Sequence, residues 1–363
     1  MGEIMGGFAM DQELAERIHS GLSAVAVLPR RMLLETPGVA ATVPMLRGVW
    51  GAALHDLDAE AYATVFAPND ETATGPGSRS NGMRLRAQRS AGTYEPMPTP
   101  GGGDRRTPAV TGSGTAVAAY VLRPAPPDPQ FAPALDWILI GDAIRHDATL
   151  LRAWDIASGM GLGPQRHRFH VRRIVGIEPD DRIAEIPRPW RLDEIQWPID
   201  GNQQVASQAA SRASGTHSQV QPPPRRRADL AARQPCRLIF PVPLRLMSRK
   251  RLIETPTLAD IVVAVCRRVK AYLPVESLAD WDQTSRWALE TARETPTEPW
   301  QGERLDLHRY SGRQRAELEL RGVTGYLDLP AGPGPLWPLL AAARWLHLGK
   351  GTVMGMGQME VGC

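Results

Sequence analysis

The chain has 363 residues, 42% of them apolar, and a formal net charge of +3. That length can bury about two domains' worth of core at ~100 to 200 residues per domain. No uninterrupted apolar run reaches the ~18 residues that a membrane-spanning helix needs, and the acidic, glycine-rich start over Met1 to Gly7 lacks the charged leader and long apolar stretch of a signal peptide. A cytoplasmic protein without membrane attachment is expected. Cys236, Cys266 and Cys363 form no C-x-x-C pair, so neither a disulfide framework nor a cysteine-based zinc site is expected. Among the basic residues only Lys250, Lys270 and Lys350 are lysine. An arginine-heavy surface suits phosphate recognition, but a GC-rich genome gives the same bias, and charge alone does not separate the two.

In chain order, residues 1–17 read as a flexible N-terminal segment and 18–185 as a first domain. Within that domain the period of the apolar residues predicts a strand over Leu22 to Glu35 and a helix over Pro44 to Leu57. It then predicts strands over Ala118 to Arg123 and Ala134 to Ile140, a helix over Ala143 to Ser158, and a strand over Arg166 to Glu178. Residues 70–115 are rich in Gly, Ser, Thr, Pro and Arg and read as a low-complexity insertion, because so little apolar surface cannot offset the entropy of ordering it. Residues 186–235, which pass through Ser/Gln-rich sequence into Pro222-Pro223-Pro224-Arg225-Arg226-Arg227, read as a linker.

The second domain, 236–363, repeats the order. A strand over Cys236 to Met247 precedes a helix over Leu258 to Leu273 and an additional helix over Trp281 to Arg293. Strands over Arg304 to Tyr310 and Ala316 to Leu329, a helix over Leu336 to Leu346 and a strand over Thr352 to Val361 complete it. The predicted fold class is therefore α+β, with two tandem ferredoxin-like βαββαβ domains.

Each half places glycines between its last helix and last strand: Gly159, Gly161 and Gly163 in the first, Gly349, Gly351, Gly355 and Gly357 in the second. In a dinucleotide site the glycines follow a strand and open a helix, so the order here is wrong for one, and G-x-x-x-x-G-K-[ST] is absent. What remains is a loop whose bare backbone N–H groups can approach a phosphate chain, with Lys350 as a point charge. A helix C-cap followed by a tight turn is the structural alternative.

His347-Leu348-Gly349-Lys350-Gly351-Thr352-Val353-Met354-Gly355-Met356-Gly357, together with Leu320-Arg321-Gly322-Val323-Thr324-Gly325 before it and Phe240-Pro241-Val242-Pro243-Leu244 at the start of the half, resembles the RAMP proteins. Among these it is similar to the endoribonucleases that cut CRISPR precursor RNA. The resemblance implies repeat RNA and guide RNA as partners, with other CRISPR effector subunits as further partners; no cofactor is expected, and no metal either, because Asp58 to Phe66 lacks the cysteine-rich segment that many relatives carry there. It implies RNA cleavage by attack of a 2′-hydroxyl, leaving a 2′,3′-cyclic phosphate. The alternative within the same family is a non-catalytic subunit that holds guide RNA.

Such chemistry needs a group that moves protons near neutral pH and cations around the phosphate. On the Pro44 to Leu57 helix, Leu46, Trp50, Ala53, Leu54 and Leu57 form an apolar face, while Gly48, Ala52 and His55 lie opposite, with Gly51 at the margin. His55 is the expected catalytic residue, and Arg47, Gly48 and Gly51 are expected to border RNA. Strand alternation puts Arg166, Arg168, His170 and Arg172 on one face as an RNA-binding stripe. His347, Lys350, Gly351, Gly355 and Gly357 complete the expected RNA-binding set.

Overall fold

The computed structural model describes residues 2–36, 40–66, 117–125, 134–197, 232–311 and 316–362. The expected insertion at 70–115 and most of the expected linker lie outside the described residues.

The chain opens on helix α1 (Gly2–Leu22), where a flexible segment was expected over 1–17. Leu14, Ile18 and Leu22 recur every four residues and are all buried, which gives the helix one apolar stripe to dock. Its Gly21 leaves room for the Trp281 ring, which an added Cβ would meet at 2.3 Å. The first strand, β1 (Ala26–Glu35), accordingly starts later than Leu22.

Helices α2 (Val43–Leu57) and α3 (Ala59–Phe66) follow, then strands β2 (Tyr120–Pro124) and β3 (Ala134–Ile140). A 3-10 turn over Gly141–His146 leads into α4 (Asp147–Met160), and β4 (His170–Ile177) closes the motif. The strands lie in the order β2-β3-β1-β4 with every pair antiparallel, the ferredoxin-like arrangement. Short strands β5 (Ile183–Ala184) and β6 (Trp190–Arg191) pair with β4 and β1. Residues 186–197, expected as linker, therefore belong to the first module, where Trp190, Leu192, Ile195 and Trp197 are buried.

The second module begins with β7 (Cys236–Leu244) and a small hairpin of β8 (Met247–Ser248) and β9 (Arg251–Leu252). Helix α5 (Leu258–Lys270) is capped by Thr257, whose side chain accepts from the Asp260 amide while Asp260 accepts from the Thr257 amide. Helix α6 (Leu278–Glu294) is the additional one, and β10 (Gln301–Ser311), β11 (Ala316–Leu329), α7 (Trp337–Leu346) and a short β12 (Glu360–Gly362) complete the chain. The order β10-β11-β7-β12 repeats that of the first sheet, again antiparallel. The last strand is much shorter than the expected Thr352 to Val361, because glycines at positive φ turn the chain up to Gly357.

Strand alternation in the first sheet feeds two cores. Leu135, Trp137 and Leu139 of β3 join Tyr120, Leu122 and Met32 under α2 and α4. Ile138, Ile140, Val121 and Val27 point the other way, into a cluster that also holds Leu14 and Ile18 of α1, Val265 of α5 and Leu340 of α7. The helices of the second module thus cover the face of the first sheet that its own helices leave open. No helix among the described residues is long and apolar enough to cross a membrane.

Candidate RNA-binding site

Helix α4 ends at Gly161, whose φ of 76° lets the chain turn back under it. A side chain there would meet the Arg166 carbonyl oxygen at 2.3 Å, so the glycine serves backbone closure of the loop. Leu162 and His167 then exchange amide hydrogen bonds of 2.7 and 3.0 Å and close a four-residue turn over Gly163 to Arg166. Arg166, Arg168, His170 and Arg172 are all exposed, but the expected continuous stripe is broken. Arg166 sits at φ 52° in the turn, the strand begins only at His170, and the register with β1 shifts between Leu33 and Leu34. Arg172 is further tied to Glu35 at 2.8 Å.

The second glycine-rich loop leaves α7 at His347, a non-glycine residue at φ 55°. The loop divides into two parts. Its tip, Gly349 and Lys350, is exposed and Gly351 is half-buried, whereas Gly355 and Gly357 are buried. The Lys350 amide donates to the Arg245 carbonyl at 2.9 Å, and Gly349 bridges Arg245, so the tip is joined to the root of the β8–β9 hairpin. In that hairpin Arg249 and Lys250 occupy both turn positions at φ 48° and 66°, where Asn and Gly are the usual residues of a two-residue turn. Arg249, Lys250, Arg251 and Lys350 are all exposed, and together they form a basic ridge. Sequence reading missed the hairpin, although the run Arg249-Lys250-Arg251 between two short apolar stretches marks it.

Several expected RNA contacts are otherwise engaged. His347 is fully buried, so it is not an RNA contact. Its Nδ1 pairs with the Met356 carbonyl at 3.0 Å, and burial, with Arg123 and Arg268 nearby, holds the imidazole well below its usual pKa and therefore neutral. Arg47 donates to the Tyr120 hydroxyl at 2.9 Å and lies over the Phe66 ring. Gly51 is buried because Phe66 would meet its Cβ at 2.8 Å, so its smallness serves α3 packing. Gly355 and Gly357 face protein, with a Cβ at Gly357 lying 1.9 Å from the Leu348 carbonyl oxygen. Of Gly48 and Gly51 in α2, Gly48 faces open space.

Both glycine-rich loops meet the first turn of α2. A side chain at Gly163 would touch Met45, and one at Gly355 would touch Val43. His55 lies in the last turn of the same helix, twelve residues and about 18 Å from Val43 at 1.5 Å per residue. Its side chain is 64% exposed, its Nδ1 is 3.3 Å from Asp56, and its ring meets Tyr62 edge-on at 5.1 Å. His55 and the two loops are therefore at opposite ends of α2.

Residues 238–359 match the family model CRISPR-associated endoribonuclease Cas6. That third of the chain contains the glycine-rich loop and the basic hairpin. No curated protein matches the chain. Solved structures similar to it include a Cas6 product complex, at 14% identity and a TM-score of 0.46 over 93% of this chain and 98% of that one. Cas6 of Thermus thermophilus is similar at 13% identity and a TM-score of 0.45, over 93% and 99%. A partial Cas6-RT-Cas1–Cas2 complex is similar at 10% identity and 0.44, over 93% of this chain and 46% of that one.

Proposed function

We propose that the protein is a CRISPR-associated endoribonuclease that binds repeat RNA and cuts the precursor into guide RNAs. The observation that carries this reading is that the match to the Cas6 family model spans a glycine-rich loop whose exposed tip is hydrogen-bonded to Arg245, at the root of the hairpin that carries Arg249, Lys250 and Arg251. Exposed cations brought together in this way suit a sugar–phosphate chain, where most contacts are to phosphate.

The cut is metal-independent: the 2′-oxygen attacks the adjacent phosphorus, the bond to the 5′-oxygen breaks, and a 2′,3′-cyclic phosphate and a 5′-hydroxyl result. A base removes the 2′-hydroxyl proton and an acid protonates the leaving oxygen. His55 is assigned to proton transfer, because it is an exposed imidazole, the kind of side chain such chemistry uses as acid or base. Incubation of the protein with end-labelled repeat RNA in EDTA should give one cut per repeat with those termini.

A second reading, a non-catalytic subunit that holds guide RNA, is favoured by one observation: His55 is at the opposite end of α2 from both glycine-rich loops. Tight repeat binding without any cleavage would select it.

A further inference from the structure

Three charged residues form a row across the first sheet, on the face that meets the second module. Asp136 on β3 is fully buried, and the register sets Arg31 of β1 on one side of it and Arg123 of β2 on the other. Arg31 donates to Asp136 at 2.8 Å and Arg123 at 3.2 Å. Arg123 also reaches out of its own module, for its Nη1 donates to the Arg344 carbonyl at 2.8 Å and its guanidinium lies 5.1 Å from the Trp345 ring centroid. From the other side, Arg268 of α5 donates to the Leu346 carbonyl at 3.2 Å.

Both carbonyls belong to the last turn of α7, where a helix leaves acceptors without partners and cations are favoured. The glycine-rich loop starts at the next residue. Its base is closed by the Leu348 amide on the Gly357 carbonyl at 2.9 Å and the Gly357 amide on the Pro243 carbonyl at 3.0 Å. Arg123 is itself 8% exposed and cannot reach RNA.

We propose that Arg123 is a positioning residue: it holds the end of α7, and with it the RNA-binding loop of the second module, in fixed register with the first module's sheet, so that the two modules present one surface to RNA. The row of Asp136 and Arg31 fixes Arg123 at its inner end, and the Arg344 carbonyl fixes it at its outer end. Lysine, with one nitrogen and a shorter reach, cannot serve both ends at once.

This inference rests on the RNA-binding reading, and the test separates the two. In the wild type, native-state hydrogen exchange should show the Leu348 and Gly357 amides opening together with those of β2 and β3, with the same dependence on denaturant. In Arg123→Lys these two amides should lose protection selectively, while affinity for repeat RNA falls about tenfold and its salt slope is unchanged, because no phosphate contact is removed. Independent opening of the loop in the wild type would overturn the proposal even if every Arg123 variant failed to fold. A folded Arg123→Lys with both amides fully protected would overturn it as well, and a reduced salt slope would show direct contact with RNA instead. Failure of the wild type to bind repeat RNA would defeat the proposed function, and the exchange data would still decide on Arg123.

Discussion

The Leu348 amide donates to the Gly357 carbonyl over 2.9 Å, so the two ends of the glycine-rich loop are pinned to each other. Space at this closure is tight, since a Cβ on Gly357 would stand 1.9 Å from the Leu348 carbonyl oxygen and the residue has φ 71°. Gly357→Ala should therefore destabilise the protein by more than about 2 kcal/mol, combining left-handed strain with displaced backbone. Gly355→Ala meets neighbours only at 3.4 Å and should cost less. Urea unfolding of the two variants checks the order, and equal losses would contradict the described closure.

Lys350 is at the exposed tip. Lys350→Ala should leave stability within about 0.5 kcal/mol of the wild type and lower repeat-RNA affinity. The slope of log affinity against log salt should fall by roughly 0.7 to 0.9, one phosphate contact's worth. Arg249→Ala should behave alike, and unchanged slopes in both would remove the ridge from the RNA interface.

The His55 side chain is exposed and its ring meets the edge of Tyr62. His55→Ala should keep stability within about 0.5 kcal/mol and RNA affinity near wild type, while cleavage slows by about 10² or more. Cleavage at the wild-type rate would move proton transfer to His170, which is exposed, and not to His347, which is buried and neutral.

Burial of His347 also makes a pH prediction. Its folded pKa is depressed below the usual 6.5, so the unfolded chain binds the proton more readily. The stability associated with this residue is therefore complete above about pH 6.5 and is lost as pH falls below it, by at most about 1.4 kcal/mol per pH unit. Urea unfolding at pH 7.5 and 5.5 should show that loss, and His347→Asn should reduce it.

The order of strands and helices was legible because each main element carries its own apolar period, as in Leu135, Trp137 and Leu139 against Ile138 and Ile140. Helix α1 was equally readable from Leu14, Ile18 and Leu22, but its glycine-rich start suggested flexibility. What could not be read was depth. Arg31, Asp136 and Arg123 look like ordinary polar positions of half-exposed strands, and only the arrival of the second module's helices puts them inside. The same holds for His347: a histidine before Gly349 and Lys350 reads as surface until the chain folds back through Met356. What was readable from sequence was the exposure of the charged tips, Lys350, Arg166 and Arg168.

The cluster that joins Val27, Val121 and Ile138 of one module to Leu340 and Val265 of the other has a practical consequence for anyone who would divide the protein. A fragment ending before Cys236 would expose the apolar face of its sheet, and a fragment starting there would expose helices with nothing to cover them. Each would tend to aggregate alone, whereas co-expressed in one cell the two halves carry matching surfaces and should reassemble. A chain cut within residues 198–231 is thus a natural split reporter, whose recovered RNA binding would report that its two pieces have met.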